Sequence, residues 1–150
     1  MKKFNFNLEK LLNYKDQNLE NEMMILGELN NKLDQCEKNL LAAKNRLIQK
    51  KKEYEDALSG SISPMACQVH LHYIDAVKEE IKRFEKEVEQ ARVRVEKQIE
   101  VVKNLKLETR SLEIMKEKRY DEYMTEVNKE TEKELEDFVS TAKEMRKHSQ

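Results

Sequence analysis

Apolar residues recur along the first third of the chain at strict seven-residue intervals. Leu12, Leu19, Leu26, Leu33, Leu40, Leu47 and Tyr54 form one edge of a stripe. With these as heptad position a, position d holds Leu8, Lys15, Glu22, Leu29, Cys36, Ala43, Lys50 and Ala57, so the second edge is half polar. Beyond the middle the register is cleaner. Ile74, Ile81, Val88, Val95 and Val102 stand at a, and Val77, Phe84, Ala91, Leu105 and Leu112 at d, with Gln98 as the one interruption. A seven-residue period held this long predicts helices that supercoil with a left hand.

The chain is punctuated once, at Ser59-Gly60-Ser61-Ile62-Ser63-Pro64. Gly60 suits the end of one helix, Ser63 an N-cap, and Pro64 the first position of the next helix. The pattern therefore predicts an all-α fold, a long two-helix antiparallel coiled-coil hairpin. It is expected to be a single coiled-coil domain over 1–150, with a helix over 7–58, a turn over 59–64 and a helix over 64–146. Folding about Gly60–Ser61 sets Leu8 opposite the region of Glu113. The second register also turns polar there, because Thr109, Lys116 and Arg119 occupy seam positions. Both observations predict a C-terminal helical overhang from about residue 115 to 146, roughly 45 Å at helical rise. Its excess of acid (Glu130, Glu132, Glu134, Glu136 and Asp137 among others) around sparse apolar residues predicts a helix that stabilises itself poorly and meets a partner.

Composition narrows the function. Charged residues make up 39% and hydrophobic ones 38%, with two glycines and one proline. That is too few turn residues for a sheet fold and too little apolar material for a large core. The net charge of −1 argues against nucleic-acid binding. The chain has no run of apolar residues long enough to insert in a bilayer, and its first residues lack the apolar stretch of a secretory leader. A cytoplasmic protein is expected.

Enzymatic chemistry is not expected either. A two-helix hairpin offers no concave pocket, and the phosphate-loop, nucleophile-elbow and helical zinc motifs are missing. His70 and His72 lie two apart on a helix and point in different directions, and Cys67 with His70 supplies only two ligands. No catalytic residue, metal site or cofactor is therefore assigned. Cys36 and Cys67 stand too far apart along the hairpin for a disulfide. Near the turn, Ala43, Leu47, Tyr54, Tyr73, Ile74, Val77 and Phe84 cluster. Leu47 and Val77 are expected to fill the seam, whereas Tyr54, Tyr73 and Phe84 together bring more aromatic surface than a two-stranded seam needs, which suggests a docking patch.

Several pieces resemble the flagellar export protein family FliJ. They are Phe4-x-Phe6-x-Leu8-Glu9-x-Leu11-Leu12, Leu26-Gly27-Glu28-Leu29, Glu53-Tyr54-x-x-x-Leu58, Leu112-Glu113-x-Met115-Lys116-Glu117-Lys118-Arg119 and Lys133-Glu134-Leu135-Glu136-Asp137-Phe138. Their order matches the family over nearly the whole chain. The resemblance implies an antiparallel coiled coil similar to the gamma stalk of rotary ATPases. Such a protein is a non-enzymatic component of the type III export apparatus that builds the flagellum, and so serves motility and chemotaxis. It inserts into the export ATPase hexamer, promoting its assembly and activity, and links it to the export gate. The implied partners are that hexamer, the cytoplasmic domain of the export gate membrane protein, and export chaperones. The implied place is the cytoplasm, peripherally associated with the inner-membrane apparatus.

By residue, the implied ring contact is Leu8, Leu12, Leu19, Leu112, Met115, Arg119, Tyr123, Leu135, Asp137 and Phe138. The implied gate-docking patch is Ala43, Leu47, Tyr54, Tyr73, Val77 and Phe84, with Lys50 and Glu80 standing where the family pattern has apolar residues. Two other readings fit the residues: an adaptor that binds substrates or chaperones along the hairpin, and a homodimeric spacer whose polar d edge seeks a second chain.

Overall fold

The computed structural model describes residues 2–149. It contains two helices, α1 (Glu9–Leu58) and α2 (Pro64–His148), arranged as an antiparallel hairpin with no strand among the described residues. The chain divides into two compact units. One runs from Leu19 to Lys103, and the other joins the residues up to Asn18 with those from Asn104 onward.

The connection is made as the residue types dictate, with one difference. The Ser63 hydroxyl accepts from the Ala66 amide at 3.2 Å, and the Ser63 carbonyl accepts from Cys67 at 3.0 Å, so Ser63 caps α2 and Pro64 occupies its first position. At the end of α1, Gly60 does not adopt the left-handed conformation expected of a C-terminal glycine. Its amide instead donates to Ala57 O at 3.2 Å, and the Ser59 hydroxyl donates to Asp56 O at 2.7 Å. The orphan carbonyls of the last turn are thus met by a tightened turn and a side chain.

In the Leu19–Lys103 unit every a and d position of the two registers is buried or half-buried. The buried members are small or β-branched: Ala43, Ile74, Val77, Val88, Ala91, Val95 and Val102. Six of these seven lie on α2. The longer leucines of α1 (Leu26, Leu33, Leu40, Leu47) stay half-buried, because a two-stranded seam covers a long side chain only on one flank. Gln98, the interruption in the α2 register, meets Glu22, a polar d position of α1. Its Nε2 donates to the Glu22 carbonyl oxygen at 3.0 Å and to a Glu22 carboxylate oxygen at 2.5 Å. A polar pair inside a seam fixes register, since any slip would leave both groups unmet.

The other unit is built differently. Phe6, Leu12 and Leu112 form its buried cluster, with Phe4 and Leu8 packed against it. Around them the seam is polar. Lys15 pairs with Glu108 at 2.7 Å and Lys116 with Glu9 at 2.8 Å. Thr109 is buried, and its hydroxyl has no hydrogen-bond partner.

The seam does not end near residue 115 as the pattern predicts. The chain ahead of α1 is not helical and lies against α2 as far as Tyr123, and α2 stays half-buried at Tyr123 and Val127. From Asn128 to Ser149 every described residue is exposed. The overhang therefore begins about three and a half helical turns later than expected. Matching helix against helix leaves out a non-helical segment that continues the cover.

Candidate functional sites

The overhang is the first candidate. It remains helical to His148, and Leu135, Phe138, Val139 and Met145 stand exposed, Phe138 at 72%. Tyr120, Met124, Val127, Phe138 and Met145 recur at three- and four-residue steps or sums of them, which places them on one helical face. Glu130 and Asp137 lie on one side of that stripe and Glu132 on the other, Glu134 falls on its edge, and Glu136 faces away from it. An uncovered apolar stripe with acidic flanks can bind a helix or loop that brings apolar side chains and basic groups.

The sequence-predicted ring residues fall into two groups. Leu12 and Leu112 are buried in the cluster with Phe6, Leu8 is half-buried beside it, and Tyr123 is half-buried. Leu19 is half-buried in the other unit. Met115, Arg119, Leu135, Asp137 and Phe138 are exposed. Leu8, Leu12 and Leu112 are thus brought together as core, and the exposed group is free to meet another molecule.

The second candidate lies beside the turn. Ala43 and Val77 are buried in the seam, at 0% and 5% exposure, so they hold the helix spacing and offer no surface of their own. Leu47, Tyr54 and Phe84 are half-buried, while Tyr73 is 57% exposed. The two positions that depart from the family pattern have partners within the chain. Arg46 grips the Glu80 carboxylate through both terminal nitrogens, at 2.8 and 3.2 Å. Lys50 Nζ sits 4.9 Å from the centre of the Tyr73 ring and 3.2 Å from Glu53. The hydrogen bonds of Lys50 and then Gln49 hold the exposed Glu53 carboxyl below its ordinary range.

Two surface residues here escape a heptad reading. Met65 and Val69 are 77% and 60% exposed, and with Tyr73 they follow an i, i+4, i+8 spacing on one face of α2. That spacing is visible in the sequence, but it lies outside the seam phase and so goes unnoticed when only the a and d positions are followed.

The half-buried His70 ring lies 5.6 Å from the ring of Tyr54, and His72 is exposed. Among the described residues no group of three or more His, Cys, Asp or Glu is placed to hold an ion. Cys36 and Cys67 are both free thiols. No helix among the described residues is long and apolar enough to cross a membrane.

A protein-family model described as "Flagellar FliJ protein" matches residues 4–146, nearly the whole chain. The chain belongs to the FliJ family. It is accordingly a component of the flagellar export apparatus, in a family of structural and export proteins. No curated protein and no solved structure matches the chain. The family model covers both candidate sites, the turn-proximal patch and the overhang as far as Arg146.

Proposed function

We propose that this protein is the central stalk of the flagellar export ATPase, a non-enzymatic subunit that enters the ATPase ring with its overhang and links the ring to the export gate. The observation that carries this reading is the exposed apolar face of α2 between Asn128 and His148, helical yet uncovered by its own chain. A ligand that binds an assembled ring better than free subunits shifts assembly towards the ring by linkage, and turnover rises with it. Met115, Arg119, Leu135, Asp137 and Phe138 make the ring contact directly, and Leu8, Leu12 and Leu112 brace the base from which the overhang projects. The acidic flanks meet basic loops of the ring.

The polar d edge of α1 does not call for a second chain, since Lys15, Glu22 and Lys50 have partners in their own hairpin. At the other site, Tyr73 is the exposed anchor for the export gate, with Leu47, Tyr54 and Phe84 as its half-buried margin. Export chaperones as further partners, and a place in the cytoplasm at the periphery of the inner-membrane export apparatus, belong to the same reading.

Mixing the purified protein with the export ATPase of the same organism, and following ring formation and ATP turnover, tests the stalk role. Stimulation at micromolar concentration is expected. Its absence would shift the reading to an adaptor. Changing Glu132, Glu134, Glu136 and Asp137 together to Lys is expected to abolish stimulation, and an unaffected rate would remove the electrostatic part of the contact.

A further inference from the structure

The segment ahead of α1 is a separate structural device. Phe6 is 4% exposed and anchored between Leu12 and Leu112. Two residues earlier, Phe4 is only half-buried. Its ring meets Tyr120 edge-on at 5.2 Å and Tyr123 at 5.4 Å, and the Tyr123 hydroxyl donates to the Lys2 carbonyl at 2.6 Å. Those aromatic contacts and one hydrogen bond to a backbone carbonyl hold the tip of the segment.

We propose that Lys2–Phe4 is a releasable strap: in the free chain it covers the Tyr120–Tyr123 face of α2, and a partner that binds this face displaces it. Three observations support release. The helix under the strap does not need it, because α2 continues for more than five turns past Val127 with no cover at all. Phe6 remains as the hinge point, and Phe4 packs against the cluster only from outside, so lifting it leaves Phe6, Leu12 and Leu112 together. Tyr120 is 47% exposed even with the strap in place, so the cover is partial and its edge is open to an incoming group.

The strap also shows what the face accepts. Lys2 and Lys3 precede Phe4 in the strap, while Lys118 and Arg119 precede the tyrosines and Asp121, Glu122 and Glu126 separate or follow them. Charges of both signs thus border the face in sequence, and the aromatic ring is what the strap supplies. The displacing segment is therefore one that offers an aromatic side chain in the place of Phe4, presented by the ring. This rests on the stalk reading above and adds regulation to it: the free chain carries an internal competitor for its own ring contact, and closing the strap lowers apparent affinity by the fraction of chains left open.

The test uses the full chain, which has no tryptophan. Phe4→Trp places a lone reporter in the strap. In the free protein its emission is expected to be blue-shifted and shielded from acrylamide. With the export ATPase ring added to saturation it is expected to become as quenchable as in a short peptide of the same sequence. Phe4→Ala, which leaves Phe6 in place, is expected to bind the ring about three- to tenfold more tightly than the parent chain.

A reporter indole that is fully quenched in the free protein would overturn the strap. An indole that stays shielded on the saturated ring, or a Phe4→Ala chain that binds more weakly, would overturn its release and make Phe4 a part of the contact. If neither chain binds the ring, the stalk reading is lost and with it the displacement. Shielding of the indole in the free protein then still decides whether the face is covered.

Discussion

The two units solve one packing problem with opposite chemistry. Between Leu19 and Lys103 the seam is filled by Ala43 and a run of valines on α2, with one polar pair inside it, Gln98 with Glu22, and one ion pair across it, Arg46 with Glu80. In the other unit, one small cluster around Phe6 is bordered by exposed-to-half-buried ion pairs, a buried hydroxyl without a partner, and a strap held by aromatic edges. Small β-branched side chains buried in a seam leave little of that seam to exchange with a partner. Polar steps in a seam stabilise it weakly, since ion pairs exposed to this degree are screened by solvent. The difference separates a seam suited to holding its structure, with Tyr73 left on its outside, from one suited to trading contacts.

Four substitutions probe that contrast, the largest effect first. Ile74→Ala removes most of a side chain that is 6% exposed, and is expected to lower stability by about 2–4 kcal/mol in denaturant unfolding followed by circular dichroism. A loss below about 1 kcal/mol would mean that this seam relaxes around the cavity and is no tighter than the other. Thr109→Val works in the opposite direction. It replaces the unpaired buried hydroxyl by a methyl of similar shape and is expected to stabilise by about 1 kcal/mol, because an orphaned polar atom loses its hydration and gains nothing. No change would show that a water reaches the hydroxyl.

Gly27→Ala should come next. A Cβ at Gly27 would meet nothing within 4 Å, and the residue lies inside α1 without special backbone geometry. A gain of about 0.5–1 kcal/mol, read as a higher melting temperature, is the expected result. Lys116→Met breaks the pair with Glu9 and should matter least. Both side chains are more than a third exposed, so a change within about 0.5 kcal/mol is expected, shrinking further in high salt. A salt-sensitive loss several times larger would show that the polar seam carries more of the unit's stability than its exposure suggests.

Much of the fold could be read from spacing alone. Heptad positions from Leu8 to Ala57 and from Ile74 to Leu112 are buried or half-buried without exception, including those that are polar. Ser63 and Pro64 start α2 as their residue types require. The candidate sites were less legible. Ala43 and Val77 look apolar in sequence whether they face a partner or the seam, and only burial distinguishes them. Gln98 reads as a defect in the register until its Glu22 partner is seen. Thr109 and Lys116 read as the end of a seam, whereas one is buried and the other is paired. Phe4 and Phe6 stand two residues apart, a spacing that fits no heptad, so a helical reading gives them no place.

The residue pattern is enough to specify two helices, their antiparallel return, their register and the acidic character of the C-terminal end. Those properties follow from local periodicity and capping, which act over a few residues at a time. Packing of the folded chain sets which polar seam residues find partners, which aromatics are core and which are surface, and how far the cover of α2 extends. Each of these depends on what a distant segment brings to the same place. The strap ahead of α1 is the clearest case: a few non-helical residues, silent in any helical pattern, set where the uncovered helix begins.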